Sequence, residues 1–290
     1  MKALVTGGAG FIGSHLAERL LRDGDEVVIL DDLSTGRLEN LQAFQDDLRL
    51  QFVRGDIRDS TLVQLLASRC EVIYHLAAAV GVQLIADDPV RTIETNIAGT
   101  EVVLEAANKF GRRVLLASSS EIYGKSEKVP FAEDDDFVLG GTAFSRWAYA
   151  CSKAVDEFLG QAFHQQYGLS VVVARFFNTI GPRQTGRYGM VVPRFVRWAL
   201  RNEPIQIYGT GRQTRCFCYV QDLVDAITGS KSRKEFVPYV VAYGRPIEDM
   251  MRRVPDTRRI RQALGWQPKT TLDQTLRIIV EHYRGQRDDG

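Results

Sequence analysis

Short runs of apolar, mostly β-branched residues alternate along the first two thirds of the chain with longer segments in which apolar residues recur every three or four positions. The short runs predict buried strands, and the longer segments predict amphipathic helices. The predicted strands are 3–5, 27–30, 50–53, 72–75, 114–117 and 171–176. The predicted helices between them are 14–22, 60–67, 87–110 and 146–167.

Strands without polar alternation, separated by helices, are typical of a parallel sheet that is covered on both faces. The pattern therefore predicts an α/β fold with a doubly wound parallel sheet. With 290 residues, the chain can form one large α/β domain or a nucleotide-binding domain with a smaller lobe. In such folds ligands bind at the carboxyl ends of the strands, so residues that follow a strand are the first candidates for chemistry.

A glycine-rich turn follows the first predicted strand and leads into the first helix, with Gly7, Gly10 and Gly13 at the spacing of a dinucleotide-binding motif. The helix start would provide N–H groups and a partial positive charge for phosphates. The second strand ends at Asp31, about 20 residues further on, where a carboxylate accepts hydrogen bonds from ribose hydroxyls. Because an acid repels a 2′-phosphate, Asp31 favours NAD over NADP.

Composition and charge exclude several classes of protein. The 37 basic and 36 acidic residues nearly balance, so we expect neither nucleic acid nor a membrane surface as partner. No apolar run approaches the roughly 18 residues of a membrane span, and the chain enters its first strand without a signal-type leader, so we expect a cytoplasmic protein. The four cysteines are predicted to be reduced thiols, and no metal site is expected: Cys70, Cys151, Cys216 and Cys218.

Two further groups of residues carry candidate chemistry. Ser119, Ser120 and Glu121 follow the fifth strand, where they can form hydrogen bonds with a substrate. Tyr149 and Lys153 lie four positions apart at the start of a predicted helix, so they share one helical face. A nearby cation stabilises the phenolate form of tyrosine and lets Tyr149 act as a base near neutral pH.

Together these motifs resemble the extended short-chain dehydrogenase/reductases of the NAD-dependent sugar-nucleotide epimerase/dehydratase group. The matching segments are 6–13, 75–78, 118–124, 175–183 and 253–256, with Asp31, the pair Gly55 and Asp56, the Tyr149/Lys153 pair, and Arg215 in a predicted strand. The resemblance implies a Rossmann-type NAD-binding core over residues 1–178 and, over 179–290, mainly a smaller lobe that binds a nucleoside-diphosphate sugar and is interleaved with the core. It also implies a homodimer through the helices 87–110 and 146–167.

The resemblance assigns NAD contacts to residues along the first four strands and to the Tyr149/Lys153 pair. The first group comprises Gly7, Gly10, Phe11, Ile12, Gly13, Asp31, Asp32, Ser34, Thr35, Gly36, Asp56, Ile57, Leu76, Ala77 and Ala78. Contacts with a UDP-sugar are assigned to residues from the fifth strand onward. They are Ser120, Arg146, Asn178, Val192, Gln206, Tyr208, Arg215 and Arg253, with Gln206 and Tyr208 in a predicted strand 205–209.

The implied chemistry begins with Tyr149 as the base at the sugar 4-hydroxyl, assisted by Lys153 and Ser119, and passes through a 4-keto sugar. Glu121, which could move a proton at C5, resembles the decarboxylases and dehydratases of the group, and Arg146, three residues before Tyr149, resembles the UDP-glucuronate decarboxylases. We therefore expect such a decarboxylase. The alternatives are a UDP-hexose or UDP-glucuronate 4-epimerase and, less favoured, an NDP-sugar dehydratase. A non-catalytic NAD sensor is not favoured, because both Tyr149 and Lys153 are present.

The last third of the chain departs from the family pattern. Relatives carry about thirty more residues after position 229, so we expect either a deletion or an unmatched segment near 229–236. If a segment is missing there, two consecutive Cα atoms should lie much farther apart than the roughly 3.8 Å of a trans peptide. The closing helices are predicted at 257–264 and 272–283.

Overall fold

A computed structural model describes residues 1–80, 88–186, 190–207, 214–229, 239–242 and 254–285, with the side chains of Arg146 and 239–242 outside that description. The strands are β1 (Lys2–Thr6), β2 (Glu26–Asp31), β3 (Leu50–Arg54), β4 (Val72–His75), β5 (Arg113–Ser119), β6 (Val171–Phe177), β7 (Thr179–Ile180), β8 (Cys218–Tyr219) and β9 (Tyr239–Ala242). The helices are α1 (Phe11–Arg22), α2 (Ser60–Ser68), α3 (Pro89–Phe110), α4 (Arg146–Tyr167), α5 (Val191–Leu200), α6 (Val220–Thr228), α7 (Arg258–Leu264) and α8 (Leu272–Gly285).

The main sheet has seven strands in the order β3-β2-β1-β4-β5-β6-β9, and each neighbouring pair is parallel. From β1 the sheet extends to one side through β2 and β3 and to the other side through β4, β5 and β6, so the strand order reverses between β1 and β4. This is the topological switch point at which doubly wound folds bind ligands. The predicted Rossmann-type α/β fold is therefore confirmed.

Alternate side chains of the strands pack on opposite faces of the sheet. Ala3 and Val5 of β1 belong to a core formed with α1 and α6, whereas Leu4 belongs to a second core formed with α2 and α3. Leu16 of α1 and Leu104 of α3 are fully buried, one on each face. Because both faces are covered by helices, the strands are apolar throughout, as the sequence pattern predicts.

Local signals set the ends of the long helices. Asp88 caps α3 by accepting a hydrogen bond from the Arg91 N–H, and Pro89 occupies the first turn, where its missing N–H costs nothing. Both α3 and α4 end at a glycine with positive φ, 64° at Gly111 and 71° at Gly168. These caps explain why the predicted ends at 110 and 167 agree with the structure.

Residues after 178 form a smaller core and also complete the main sheet. Ile180, Val192, Val196 and Ile279 pack together, while β9 pairs with β6 at the edge of the main sheet. The two portions of the chain are therefore interleaved; the boundary at residue 178 stays a prediction. No helix in the described part of the chain is long and apolar enough to cross a membrane.

Two predictions about strands are wrong, and one prediction falls outside the described residues. Residues 205–207 form no strand, and Arg215 precedes β8 in irregular backbone. These runs are short and lie outside the main sheet, so their apolar pattern alone did not define a strand. The proposed break near 229–236 concerns residues that, apart from Gly229, lie outside the described part of the chain.

Candidate active site

The first strand runs into a turn whose backbone conformation favours glycine. Gly7 has φ +70°, and its N–H donates a 2.8 Å hydrogen bond to the carbonyl oxygen of Leu30. A Cβ atom on Gly7 would lie 2.8 Å from the backbone of Ala77. The absence of a side chain therefore lets the end of β1 pass directly beside the end of β4.

Helix α1 begins in close contact with this turn. A Cβ atom on Gly13 would lie only 2.2 Å from the Gly7 carbonyl oxygen, so α1 could not approach this closely with any other residue there. The first N–H groups of a helix have no intrahelical partner and carry the positive end of its dipole. Gly10, Phe11 and Ile12 line the adjoining cavity, which places an anion-binding helix start at its wall.

The cavity has a volume of about 670 Å³ and lies at the carboxyl ends of β1, β2, β4 and β5. That volume is within the roughly 300–1,000 Å³ of ligand pockets in proteins. Its walls include the segment 7–13, called the glycine turn below, and the ends of the neighbouring strands. The site is therefore where a doubly wound fold is expected to bind a ligand.

Asp31 ends β2 with only 6% of its surface exposed. Its Oδ2 accepts a 2.9 Å hydrogen bond from the Ala9 N–H, and its Oδ1 accepts one of 2.8 Å from Leu33. Burial raises the pKa of the Asp31 carboxyl, and these two N–H donors act in the opposite direction. Because a carboxylate has about four acceptor positions, two remain for hydroxyl groups of a ligand.

Two other acidic residues at this edge are held by their own loops. Asp32 Oδ1 accepts hydrogen bonds from the N–H and hydroxyl of Ser34, at 2.9 and 2.6 Å. Asp56 accepts hydrogen bonds from the Arg58 guanidinium, which hold its pKa below the usual range. Both aspartates line the cavity, but each is already engaged by a neighbour in the sequence.

His75 is the last residue of β4, and its ring contacts neighbouring elements of the fold. Its Nδ1 lies 2.8 Å from the Thr6 hydroxyl and its Nε2 lies 3.1 Å from the Thr100 hydroxyl. Burial, with a smaller contribution from Lys153, lowers the pKa of His75 to about 3. A histidine that stays neutral between two hydroxyl groups serves as a hydrogen-bonded strand end.

Ser119 and Glu121 follow β5 and line the same cavity, with 6% and 8% of their surfaces exposed. The Ser119 hydroxyl oxygen accepts a 3.2 Å hydrogen bond from the Glu121 N–H. This bond starts the short 3₁₀ turn Ser120–Tyr123, which fixes the backbone carrying both side chains. Ser120 is fully buried and does not line the cavity.

A buried ion pair supports this strand end from behind. Glu157 of α4 accepts hydrogen bonds from Arg175 of β6, the shortest 2.8 Å, and another from the Ser118 hydroxyl. Arg175 also donates to the Tyr123 hydroxyl at 3.0 Å. The guanidinium therefore joins α4, β5 and β6 directly beneath the candidate catalytic residues.

Tyr149 and Lys153 lie in the first two turns of α4, and both line the cavity. They are 8% and 3% exposed, respectively. Lys153 Nζ donates a 2.9 Å hydrogen bond to Asp156 Oδ2, and Asp156 is fully buried. The phenol and the ammonium predicted to share a helical face are thus brought to the same cavity as the glycine turn.

The structure brings together all four residues predicted to be catalytic and all but one of those predicted to contact NAD. Gly36 is the exception: it does not line the cavity, although a Cβ there would lie 2.8 Å from Asp31 Oδ1. The residues predicted to bind the sugar nucleotide do not line this cavity where the structure describes them: Ser120, Asn178, Val192, Gln206 and Arg215. Tyr208, Arg253 and the side chain of Arg146 lie outside the described part of the chain.

The sequence analysis missed some cavity residues, among them Gln184 and Thr185, which no motif signals. Gln184 is 6% exposed, and its Nε2 donates to the Thr179 carbonyl at 3.0 Å. Its buried Oε1 accepts no hydrogen bond within the described part of the chain, so it is an acceptor at the cavity edge.

No group of three or more histidine, cysteine or acidic side chains that could hold a metal ion occurs among the described residues. All four cysteines are free thiols. Cys218 is buried in β8, and burial raises the pKa of its thiol. Cys216 precedes β8, so only Cys218 of these two lies in a strand.

The fold and the site define a dinucleotide-dependent enzyme. The close approach at Gly13 and the helix start fit a pyrophosphate, and Asp31 fits an adenosine ribose. Tyr149 and Lys153, the pair suited to hydride-transfer chemistry, line the same cavity. The residues present therefore fit NAD.

Comparisons with known proteins agree with this class. Residues 4–248 match the model of the protein family described as GDP-mannose 4,6 dehydratase. The chain is 34% identical to a UDP-N-acetyl-alpha-D-glucosaminuronate decarboxylase of Bacillus cytotoxicus, over 99% of both chains. It is 33% identical to UDP-glucuronic acid decarboxylase 1 of Xenopus tropicalis, over 98% of this chain and 72% of the relative.

A solved structure gives the same indication. A UDP-glucuronic acid 4-epimerase from Bacillus cereus, in complex with UDP-glucuronic acid and NAD, superimposes with a TM-score of 0.86 at 26% identity. The match covers 98% of this chain and 99% of the other.

The alignment with the Bacillus cytotoxicus relative spans 322 positions, more than the 290 residues of this chain, so part of that relative has no counterpart here.

The chain belongs to the extended short-chain dehydrogenase/reductase family of sugar-nucleotide epimerases, dehydratases and decarboxylases. It is an NAD-dependent enzyme that modifies a nucleoside-diphosphate sugar, as the sequence analysis expected. The two named decarboxylases and the epimerase share this framework, so the particular reaction depends on the residues around the sugar.

Proposed function

We propose that this enzyme decarboxylates a UDP-uronate, with UDP-glucuronate as the preferred substrate. The observation that carries the proposal is the convergence of Tyr149, Lys153, Ser119 and Glu121 on the cavity that also holds the glycine turn and Asp31. This set combines a base, a cation, a hydroxyl and a carboxyl beside a dinucleotide site. A decarboxylase that passes through a 4-keto sugar needs all four groups.

The first step removes two hydrogens from the sugar at C4. Tyr149, as a phenolate, takes the proton of the 4-hydroxyl, while the Lys153 ammonium stabilises the phenolate and contacts the nicotinamide ribose. Ser119 donates a hydrogen bond to the 4-oxygen and orients the sugar. Bound NAD would supply the hydride acceptor at C4, and it would be regenerated in each cycle when the 4-keto sugar is reduced again before release. Return of the hydride to C4, with a proton from Tyr149 to the 4-oxygen, reverses the first step.

The second step breaks the bond between C5 and C6. The C6 carboxylate of a uronate is β to the C4 ketone, so the C5–C6 electron pair can pass into an enolate as CO2 leaves. Glu121, next to Ser119 in the cavity wall, then supplies the proton that C5 needs. The products are CO2 and a five-carbon sugar: return of the hydride to C4 with a proton from Tyr149 gives the pentose and restores NAD, whereas release of the 4-keto sugar would leave the cofactor reduced. An acid at position 121 is thus required by a decarboxylase and has no such role in a simple 4-epimerase.

The named relatives support a uronate as substrate. The Bacillus cytotoxicus protein acts on UDP-N-acetyl-alpha-D-glucosaminuronate and the Xenopus tropicalis protein on UDP-glucuronic acid, and both are decarboxylases by name. Arg146 begins α4, one helical turn before Tyr149. We infer that its guanidinium binds the uronate carboxylate through paired hydrogen bonds. Arg146→Lys, which keeps the charge and loses the fork, should raise KM for the uronate.

A second candidate is a 4-epimerase acting on UDP-glucuronate or a UDP-hexose. The Bacillus cereus epimerase in complex with UDP-glucuronic acid and NAD favours this alternative, because a uronate carboxylate can be bound without being lost. A dehydratase is less favoured, since no aspartate precedes Glu121. A non-catalytic NAD sensor is not favoured, since Tyr149 and Lys153 are both held in the cavity wall.

Incubation of the NAD-loaded enzyme with a small set of substrates tests the proposal. The set is UDP-glucuronate labelled with ¹³C at C6, UDP-N-acetylglucosaminuronate and UDP-glucose, with the products analysed by mass spectrometry. We expect release of labelled CO2 and a five-carbon product from UDP-glucuronate. Retention of all six sugar carbons in a product overturns decarboxylation in favour of epimerisation. Tyr149→Phe should be inactive, whereas Tyr167→Phe, at the exposed end of α4, is the matched control.

The homodimer is also a proposal. Val90 and Ile93 of α3 and Phe158 of α4 are 64%, 40% and 59% exposed, so the two long helices carry apolar side chains on their accessible surfaces. Pairing of α3 and α4 with a second copy would bury them. Light scattering should give twice the chain mass, and Phe158→Glu should give a monomer.

We also propose that the enzyme is cytoplasmic and that the UDP group is contacted by Asn178, Val192, Gln206 and Arg215.

A further inference from the structure

A carboxylate that the mechanism does not use lies directly behind Lys153. Asp156 is fully buried on α4, three residues after Lys153, which is itself 3% exposed. Lys153 Nζ donates a 2.9 Å hydrogen bond to Asp156 Oδ2. This is a buried ion pair inside the cavity wall, formed by a residue that no sequence motif marked.

Besides Lys153, the groups that act on Asp156 are Thr100 of α3 and Glu157 of its own helix. The Thr100 hydroxyl of α3 lies beside Asp156 and favours its charged form, yet Asp156 Oδ1 receives no hydrogen bond of normal length from any described residue. Burial raises the pKa of the Asp156 carboxyl, and Lys153 opposes that shift. His75, which bonds the other side of Thr100, stays neutral because its pKa is lowered to about 3.

A buried ammonium needs both a counter-charge and a fixed direction. Removal of either partner from a buried ion pair leaves an uncompensated charge, which is far more costly than loss of an exposed pair. An ammonium has three N–H donors. Asp156 accepts one of them, so two remain for the Tyr149 phenolate and the ribose of NAD, which are the contacts that the proposed chemistry requires.

We propose that Asp156 is a positioning residue that anchors Lys153 and preserves its positive charge beneath Tyr149. The inference rests on the proposed roles of Tyr149 and Lys153. It explains how a lysine that is almost wholly buried can remain charged before NAD is bound: the counter-charge is supplied by the protein, one turn along the same helix. Asp156 touches neither substrate nor cofactor and acts only through Lys153.

Several titratable groups face the pair and must be considered in a pH experiment. On α4 these are Tyr149 and Glu157, on β4 His75, and at the end of β5 Glu121. Helix α3 contributes the uncharged Thr100. Glu157 is bonded to Arg175, and His75 stays neutral above its pKa of about 3. Removal of the Asp156 charge should therefore affect Lys153 and Tyr149 before other groups when the pH is raised above neutral.

Binding of NAD without any substrate is the first test. Asp156→Asn keeps the shape of the side chain and one acceptor oxygen but removes the charge. Calorimetric titration with NAD should show about tenfold weaker binding at about pH 7, and the ratio to wild type should grow at alkaline pH, because the Lys153 ammonium lacks its counter-charge. Asp135→Asn removes another carboxylate whose side chain is only 4% exposed, away from the cavity, and is the matched control. A ratio independent of pH, or equal to that of Asp135→Asn, overturns the proposal.

The pH profile of turnover is the second test. The alkaline limb of kcat should move to lower pH in Asp156→Asn, with kcat reduced by about 10- to 100-fold, a fraction of the roughly 10²–10⁴ that general acid–base catalysis contributes. KM for the UDP-sugar should change little. A wild-type enzyme that converts no UDP-sugar refutes the proposed function and leaves the NAD-binding test intact. An unshifted alkaline limb overturns the role of Asp156.

A variant that does not fold is also informative. Removal of one partner leaves a buried charge, whereas removal of both can be nearly neutral. If Asp156→Asn does not unfold cooperatively on heating, the double variant Lys153→Met/Asp156→Asn should recover a cooperative transition. A double variant that is as poorly folded as the single one shows that the two side chains are not coupled and overturns the proposal.

Discussion

The closest backbone approach in the cavity wall gives a sharp prediction. Gly13→Ala would place a Cβ atom 2.2 Å from the Gly7 carbonyl oxygen and 2.8 Å from Gly8 Cα, where ordinary contacts begin near 3.4 Å. Both neighbours are backbone atoms, so no flexible side chain can move away. Helix α1 must therefore shift away from the turn by about 1 Å.

The magnitude follows from two opposing effects. Alanine is favoured over glycine inside a helix by roughly 0.5–1 kcal/mol, whereas overpacking of this kind costs about 1–3 kcal/mol. We expect a net loss of about 1–2 kcal/mol in the free energy of unfolding. The N–H groups at the start of α1 move with the helix, and since about 1.4 kcal/mol corresponds to tenfold in affinity, a loss of the same size in binding would weaken NAD affinity by about 5- to 30-fold.

Two other glycines provide controls within the same chain. A Cβ on Gly10 would meet the Gly7 carbonyl at 3.0 Å, a milder contact, and one on Gly141 would meet nothing within 4 Å. The NAD affinity measured by calorimetry should be highest for Gly141→Ala, lower for Gly10→Ala and lowest for Gly13→Ala. The free energy of unfolding in urea should follow the same order. An affinity of Gly13→Ala within about twofold of Gly141→Ala would refute the reasoning from close packing.

Four further outcomes are expected. Asp31→Ser should lower NAD affinity and reduce the preference for NAD over NADP in paired titrations, because the buried carboxylate is lost; an unchanged ratio contradicts the ribose assignment. Tyr149→Phe should lower kcat by about 10²–10⁴-fold with NAD affinity retained; unchanged turnover argues for another base. Arg175→Met should destabilise the fold by about 3–5 kcal/mol by leaving Glu157 buried without its partner, and denaturant unfolding that shows under about 1 kcal/mol contradicts this. Because the folded pKa of His75 is about 3 and its unfolded value about 6.5, the unfolded chain binds more protons between these values. Stability should fall by up to about 1.4 kcal/mol per pH unit below about pH 6.5, and His75→Asn should flatten that acid-side slope in urea unfolding.

The particular reaction is set by few positions within a common framework. Glu121 follows Ser119 in the wall, and Arg146 begins the helix that carries Tyr149. We propose that both positions act on the sugar rather than on NAD, so changes there should redirect the 4-keto sugar without loss of the dinucleotide. Glu121→Gln is therefore the natural variant for comparison of decarboxylation with hydride transfer.

The sequence by itself determined the framework of this protein. The glycine turn, Asp31 and the Tyr149/Lys153 pair are each defined by spacing within one strand, turn or helix, and such local geometry repeats wherever the pattern occurs. The apolar runs likewise determined the parallel sheet, since strands covered on both faces leave no polar alternation. Local rules sufficed because the residues concerned are neighbours in the chain.

Tertiary structure decided what lies beyond a single element. Gln184 lines the cavity although it is distant in sequence from the glycine turn. Gln206, which is expected to contact the UDP-sugar, does not line this cavity, and its contact stays a prediction. The ion pair of Glu157 with Arg175 joins a helix to a strand. The burial of Asp156 depends on α3, which places Thr100 beside it. Burial, and with it the strength of every charge in the site, is a property of what packs around a residue, which the order of residues along the chain does not specify.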